Sequence, residues 1–334
     1  MGSPRTVLPE IALAALGGTI AAVPDSSGRN ATMTLGVEQL IEAVPRLAEA
    51  ARLRQLDFRQ GPSAALRPDD IAELAALIVG ELETGAAGAV VTQGTDTLEE
   101  TAYLLDLLLP PGAPVVVTGA MRNSGLPGAD GPANLLASVQ VAASEAARGL
   151  GVLVVMNDEV HAARFVRKTH SSSPATFRSP QLGPLGWITE GRVSIPLAPR
   201  SASPHPAVPV GVPLPEVGLV RLTMGDDGRL VDAAASAGYA GLVVEVFGAG
   251  HVPVPARDAM RRASAAVPVV FASRTGAGEL YRESAVFPGS ERDLLDSGII
   301  SAGWREGLKA RLLLSVLLAS GAGRDGIAAA FASA

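Results

Sequence analysis

The chain has 334 residues, 48% of them apolar and 18% charged, with a formal net charge of -6, and is long enough for two domains and a large core. Its apolar content lies in short Ala, Val and Leu runs and its basic residues form no stripe, so neither a membrane span nor a nucleic-acid partner is expected. The absence of cysteine excludes disulfides, thiolate metal sites and a cysteine nucleophile.

In chain order, residues 7–16 have the apolar character of a signal-peptide core, but only Arg5 flanks them and they run directly into Gly17-Gly18-Thr19. They read as a first strand, residues 11–15, feeding a tight loop, and the protein as cytoplasmic. Residues 21–34 mix Pro, Asp, Ser, Gly and Asn and should form a surface loop able to act as a lid. A short helix is expected over 37–44, a strand over 53–58, and a helix from Pro68 to about Thr84 with acids in its first turn.

The stretch Val90-Val91-Thr92-Gln93-Gly94-Thr95-Asp96-Thr97-Leu98-Glu99-Glu100-Thr101 reads as a buried strand, a polar turn and a helix start. Thr97 with Glu100 has the capping-box spacing. Gly94 leaves backbone N–H groups open to a polar ligand. A strand over 114–118 follows, ending at Gly119-Ala120-Met121-Arg122, then a helix over 133–148 and a strand over 152–156. This alternation predicts a parallel α/β sheet with helices on both faces, and puts Thr19, Thr95 and Ala120 at the carboxyl ends of its strands.

Residues 196–216 are dense in proline and read as a linker between an N-terminal catalytic α/β domain, 1–195, and a smaller C-terminal α/β domain, 217–334. In the second domain, strands are expected over 218–222, 242–246 and 267–272, and helices over 255–265 and 304–319.

A hydroxyl is a weak nucleophile unless a base or cation assists it, and Lys168, in Phe165-Val166-Arg167-Lys168-Thr169-His170, is the candidate helper. Near another cation such as Arg167 it could accept a proton; paired with Asp96 it would stay charged. His161, His170, His205 and His251 are scattered and lack zinc-helix spacing, no GxxxxGK or complete GxGxxG is present, and no GxSxG elbow appears. Metal chemistry is therefore weakly supported and nucleotide binding unsupported.

The segments Leu16-Gly17-Gly18-Thr19-Ile20-Ala21, residues 93–103, Gly119-Ala120-Met121-Arg122, residues 152–168, Gly183-Pro184-Leu185-Gly186, residues 237–241 and Lys309-Ala310-Arg311 together resemble the bacterial-type L-asparaginases. The resemblance covers nearly the whole chain in order. It implies a larger flavodoxin-like domain with a smaller carboxyl-terminal one, and hydrolysis of the side-chain amide of L-asparagine without metal or organic cofactor. Thr19 matches the attacking threonine, and Thr95, Asp96 and Lys168 match an internal triad. By the same likeness Ser63, Gly94, Thr95, Asp96 and Ala120 bind substrate. The family forms homotetramers in which a neighbouring subunit donates a glutamate, here Glu291, with Glu283 as the fallback.

The sequence departs from that pattern in three places. Residues 21–34 hold no tyrosine where the family's loop carries one, so Tyr281 or water is expected in its place. Gln93 replaces a frequent histidine, and His251 stands where an asparagine is usual. The alternatives kept open are a glutaminase or other small-amide hydrolase, and an amino-acid-binding protein with weakened catalysis.

Overall fold

The computed structural model describes residues 7–24, 31–33, 35–199, 208 and 211–333. The chain divides into two compact units, Met1–Ser201 and Ala202–Ala334. Much of the expected linker, residues 200–207 and 209–210, and His205 with it, lies outside the described residues.

The first unit contains β1 Glu10–Ala15, β2 Ala22–Pro24, β3 Ala31–Met33, α1 Val37–Glu42, α2 Leu47–Ala50, β4 Arg52–Leu56, α3 Pro68–Glu83, β5 Gly88–Thr92, α4 Leu98–Leu108, β6 Val115–Thr118, α5 Gly131–Ala142 and β7 Val152–Met156. These are followed by β8 Glu159–Ala162, β9 Arg167–Lys168, β10 Phe177–Arg178, β11 Gly186–Thr189 and β12 Arg192–Ser194. β4, β1, β5, β6 and β7 run parallel in that spatial order. β5, β6 and β7 are buried along their whole length, as expected of Val-rich strands covered on both faces. Counted by their order in the chain, the parallel strands lie 2-1-3-4-5, so the connections reverse direction between β1 and β5. In open α/β sheets that reversal opens the crevice where ligands bind.

Three strands that periodicity does not announce extend the sheet: β8, β11 and β12 add antiparallel to its β7 edge. They are short and partly polar, so they lack the apolar run by which the parallel strands are recognised. The segment expected as a lid loop contains a small hairpin instead, with β2 pairing antiparallel to β3. Residues 25–30 and 34 of that segment lie outside the described residues.

The second unit is built from β13 Val217–Arg221, α6 Arg229–Ser236, β14 Gly241–Val246, α7 Val254–Ser264, β15 Val269–Ser273, α8 Glu291–Asp296, β16 Ile300–Ser301, α9 Gly307–Ala319 and α10 Arg324–Ala332. Its four strands form a parallel sheet in sequence order. α9 is buried along most of its length, including Lys309, whose Nζ donates to Glu306 Oε1 at 3.0 Å. Among the described residues, no helix is long and apolar enough to cross a membrane.

Candidate active site

The crevice is assembled where backbone segments meet without side chains between them. Gly17 (φ 94°) and Gly18 (φ 84°) follow β1 in a left-handed conformation that disfavours any other residue. A Cβ on Gly17 would stand 2.8 Å from Gly61 O, and one on Gly18 would stand 2.1 Å from Gly94 N and 2.3 Å from Gly94 Cα. A Cβ on Gly94 would meet Ser63 Oγ at 2.7 Å. The turns after β1, β4 and β5 are therefore in backbone contact, and one residue on from the Gly18–Gly94 contact stand Thr19 and Thr95. Gly18→Ala is expected to force these turns apart. Its backbone conformation alone costs about 1–3 kcal/mol, to be read as a lower Tm together with loss of whatever activity the crevice supports.

Thr19 begins a short 3-10 turn, Thr19–Ala21, and is partly exposed, while its neighbour Ile20 is buried. Ile20 lies against the start of α5: a Cβ on Gly131 would meet Ile20 Cγ1 at 3.1 Å and Ala120 Cβ at 3.4 Å. Thr19 is thus bracketed by the β5 turn on one side and the Ala120 turn on the other.

Thr95 is buried, and its Oγ1 accepts a hydrogen bond from Lys168 Nζ at 2.9 Å. The same ammonium donates to Asp96 Oδ1 at 2.7 Å, forming an ion pair between a lysine only 15% exposed and an aspartate 72% exposed. Of the two settings weighed for Lys168, the structure shows the one beside Asp96. Gln93 is fully buried beneath the turn, with Nε2 donating to Gly94 O at 3.3 Å.

Thr97 does not close a capping box. Its backbone (φ −116°, ψ 15°) is not extended, its side chain caps nothing, and Oγ1 donates instead to Ser63 O at 3.0 Å. That bond ties the Ser63–Ala65 turn to the start of α4 and holds buried Ser63 against Gly94.

The Ala120 turn is fixed by two residues that sequence reasoning passed over. Met121 N–H donates to both oxygens of Asp130, at 3.1 and 3.0 Å, and Arg122 N–H donates to Oδ1 at 2.8 Å. Asn134 Nδ2 donates to Gly119 O at 3.0 Å and to Asp130 Oδ2 at 3.2 Å, while its Oδ1 accepts from Asn157 N–H at 3.0 Å. The signal available was Asp130 directly before Gly131-Pro132, a helix-start pattern two residues earlier than the helix expected there. The carboxylate is spent on the neighbouring turn rather than on the helix end, because α5 shows no side-chain cap bond.

In the second unit Glu291 is fully buried at the start of α8. Oε1 accepts from Ala285 N–H at 2.7 Å and Oε2 lies 3.1 Å from His251 Nε2. Burial would raise its carboxyl, but the N–H groups of Ala285 and of Glu291 itself, together with His251, hold it below the ordinary carboxylate range. Glu283 and Tyr281 are exposed. His161, in the first unit, is buried between Ser179 Oγ, 3.0 Å from Nδ1, and Glu159, 3.2 Å from Nε2; burial lowers its pKa and Glu159 offsets part of that.

A flavodoxin-ordered sheet with hydroxyls, an amine and a carboxylate at its reversal point defines a class: doubly wound α/β proteins with a polar ligand crevice at the carboxyl ends of their strands. Comparison with known proteins narrows it. Residues 10–200 match the family model "Asparaginase, N-terminal" and residues 216–331 match "Glutaminase/Asparaginase C-terminal domain". The chain is 37% identical over 318 residues to L-asparaginase 2 of Escherichia coli, covering 93% of this chain and 89% of that protein. It is 36% identical over 319 residues to a probable periplasmic L-asparaginase of Haemophilus influenzae, with the same coverage of 93% and 89%. A crystal structure of a probable cytoplasmic L-asparaginase from Campylobacter jejuni superposes with a TM-score of 0.89 at 33% identity, covering 98% of this chain and all of that one. The chain belongs to the asparaginase family.

Proposed function

We propose that the protein hydrolyses the side-chain amide of L-asparagine to aspartate and ammonia, with Thr19 as nucleophile. The observation that carries this reading, in a chain of this family, is Lys168 Nζ placed 2.9 Å from Thr95 Oγ1 and 2.7 Å from Asp96 Oδ1 at the sheet's reversal point.

The Thr19 hydroxyl adds to the amide carbon and yields its proton to a water molecule, since residues 21–34 offer no tyrosine. The carbonyl oxygen becomes an oxyanion. Backbone N–H groups around Thr95 and Ala120 stabilise it, and such preorganised donors supply much of an acyl-transfer rate. Because Lys168 donates to Thr95 Oγ1, that hydroxyl's own proton is directed away from the amine and can pass to the leaving nitrogen. The C–N bond breaks, ammonia departs, and an aspartyl ester on Thr19 remains. Water then adds to the ester and gives a proton to Thr95 Oγ1, restoring that hydroxyl; the C–O bond to Thr19 breaks as Thr19 Oγ1 takes back the proton released in the first step, and aspartate leaves. Asp96 pairs with the substrate's α-ammonium, while Ser63 and the open backbone at Gly94 receive its α-carboxylate.

The same reading makes the protein a homotetramer in which a neighbouring copy donates a carboxylate to each site. Both oxygens of Glu291 already have partners within its own unit. That favours exposed Glu283 as the donated group. The names of the similar proteins point to both cytoplasm and periplasm, and we read this chain as cytoplasmic on its likeness to the Campylobacter jejuni structure.

A second reading, an amino-acid binder with weakened turnover, is favoured by the absent loop tyrosine. A coupled ammonia assay with asparagine and glutamine separates the two. The hydrolase reading expects equimolar aspartate and ammonia from asparagine; a thermal shift with aspartate and no ammonia would support the binder. Asp130→Ala is expected to lower kcat about a hundredfold while leaving a folded protein, because it releases the Ala120 turn that faces the scissile amide. Steady-state kinetics with a melting curve check this, and an unchanged kcat would remove the Ala120 turn from the mechanism.

A further inference from the structure

The ribbon that carries Lys168 is closed by a turn, residues 169–176, that the reaction described above does not use. β9 and β10 have two residues each, pairing Lys168 with Phe177 and Arg167 with Arg178, and so short a ribbon does not hold its register alone. At one end β10 is anchored, because Arg178 Nη1 donates to both carboxylate oxygens of Glu159 at 3.1 Å and Ser179 Oγ meets buried His161. At the other end the turn holds itself. Thr169 N–H and Oγ1 both donate to Thr176 O, at 2.9 and 2.8 Å. His170 N–H donates to Thr176 Oγ1 at 2.7 Å, and that hydroxyl donates back to His170 O.

The His170 ring completes the closure. Its Nδ1 accepts from Ser172 N–H at 3.0 Å and from Ser173 N–H at 3.1 Å. A ring nitrogen accepts only while it carries no proton, so both bonds require the neutral ring with its proton on Nε2; an imidazolium has donors alone. His170 is exposed, and a proton from solvent can reach it.

We propose that neutral His170 is a positioning residue for Lys168, and that its protonation opens the 170–173 turn and draws the lysine amine away from Thr95. This rests on Lys168 serving the reaction. The charged or titratable groups on the elements around the turn are Arg167 and Lys168 on β9, Arg178 on β10, Glu159 and His161 on β8, and Asp96 after β5. None of these side chains is itself substituted when His170 alone is changed.

The test compares kcat and KM for asparagine across about pH 5–8, where histidines titrate, in wild type, H170A, H170N and K168M. H170A is expected to lose about ten- to a hundredfold in kcat throughout, with KM little changed. In H170N the Asn Oδ1 can accept the same two N–H groups but does not titrate, so kcat returns at the alkaline end and the acid limb of the wild type disappears. H170A with the wild-type kcat and profile, or a folded H170N that keeps the wild-type acid limb, overturns the proposal. Full turnover by K168M would overturn the underlying reading of Lys168, and the proposal with it. Loss in K168M beside an unchanged H170A would overturn the His170 proposal alone.

Discussion

Thr19→Ala is expected to lower kcat for asparagine by about a thousandfold or more while KM changes little. The substitution takes away the attacking oxygen and leaves the groups assigned to hold substrate, Ser63, Gly94 and Asp96, where they are. Thr19 is partly exposed, so truncation empties no core position and Tm should stay within a few degrees of wild type. The residual rate reports what binding and the oxyanion donors supply to direct attack by water. Thr19→Ser keeps a hydroxyl and should keep measurable ammonia release. A Thr19→Ala enzyme with wild-type turnover would remove the nucleophile from the account.

Lys168→Met is expected to cost about 10²–10⁴ in kcat, the range for losing a positioned proton-transfer group. Lys168 Nζ is bonded to Thr95 Oγ1 and Asp96 Oδ1 at once, so its removal leaves the hydroxyl without its donor and the carboxylate without its cation. Asp96 is largely exposed and water can solvate it, so the stability cost should be small. Thr95→Ala should fall in the same range. If the two side chains act as one relay, the double variant should be scarcely slower than either single one. Additive losses measured in that double-mutant cycle would show that they act separately.

Much of the fold could be read from the chain because the parallel strands obey one rule. Residues buried on both faces of a sheet form continuous Val-rich runs, as in β5, β6 and β7, and each run ends in glycine or polar residues where the crevice lies. β8, β11 and β12 were not legible in that way. They extend the sheet beyond β7; β11 and β12 expose part of their length, β8 begins at half-buried Glu159, and none carries an alternation strong enough to separate it from loop.

At the site, residue types pointed to Thr19, Thr95, Asp96 and Lys168, but local spacing does not specify long-range geometry. Thr97 shows this clearly. Its spacing to Glu100 fits a helix cap, yet its hydroxyl reaches Ser63, 34 positions earlier in the chain. Asp130 has the position of a helix start and gives its carboxylate to the Ala120 turn. In both cases a tertiary partner out-competed the local one, and only coordinates disclose which partner that is. Lys168 was open between two settings for the same reason: the sequence places it near Arg167, whereas folding brings it to Asp96, 72 positions away.

The most direct measurement is to quench the enzyme in acid during turnover of asparagine and map any covalent adduct by peptide mass spectrometry. An added aspartyl group on the peptide carrying Thr19, absent from the Thr19→Ala protein, is the result expected here. An aspartyl group found on Thr95 or on any other residue would contradict it.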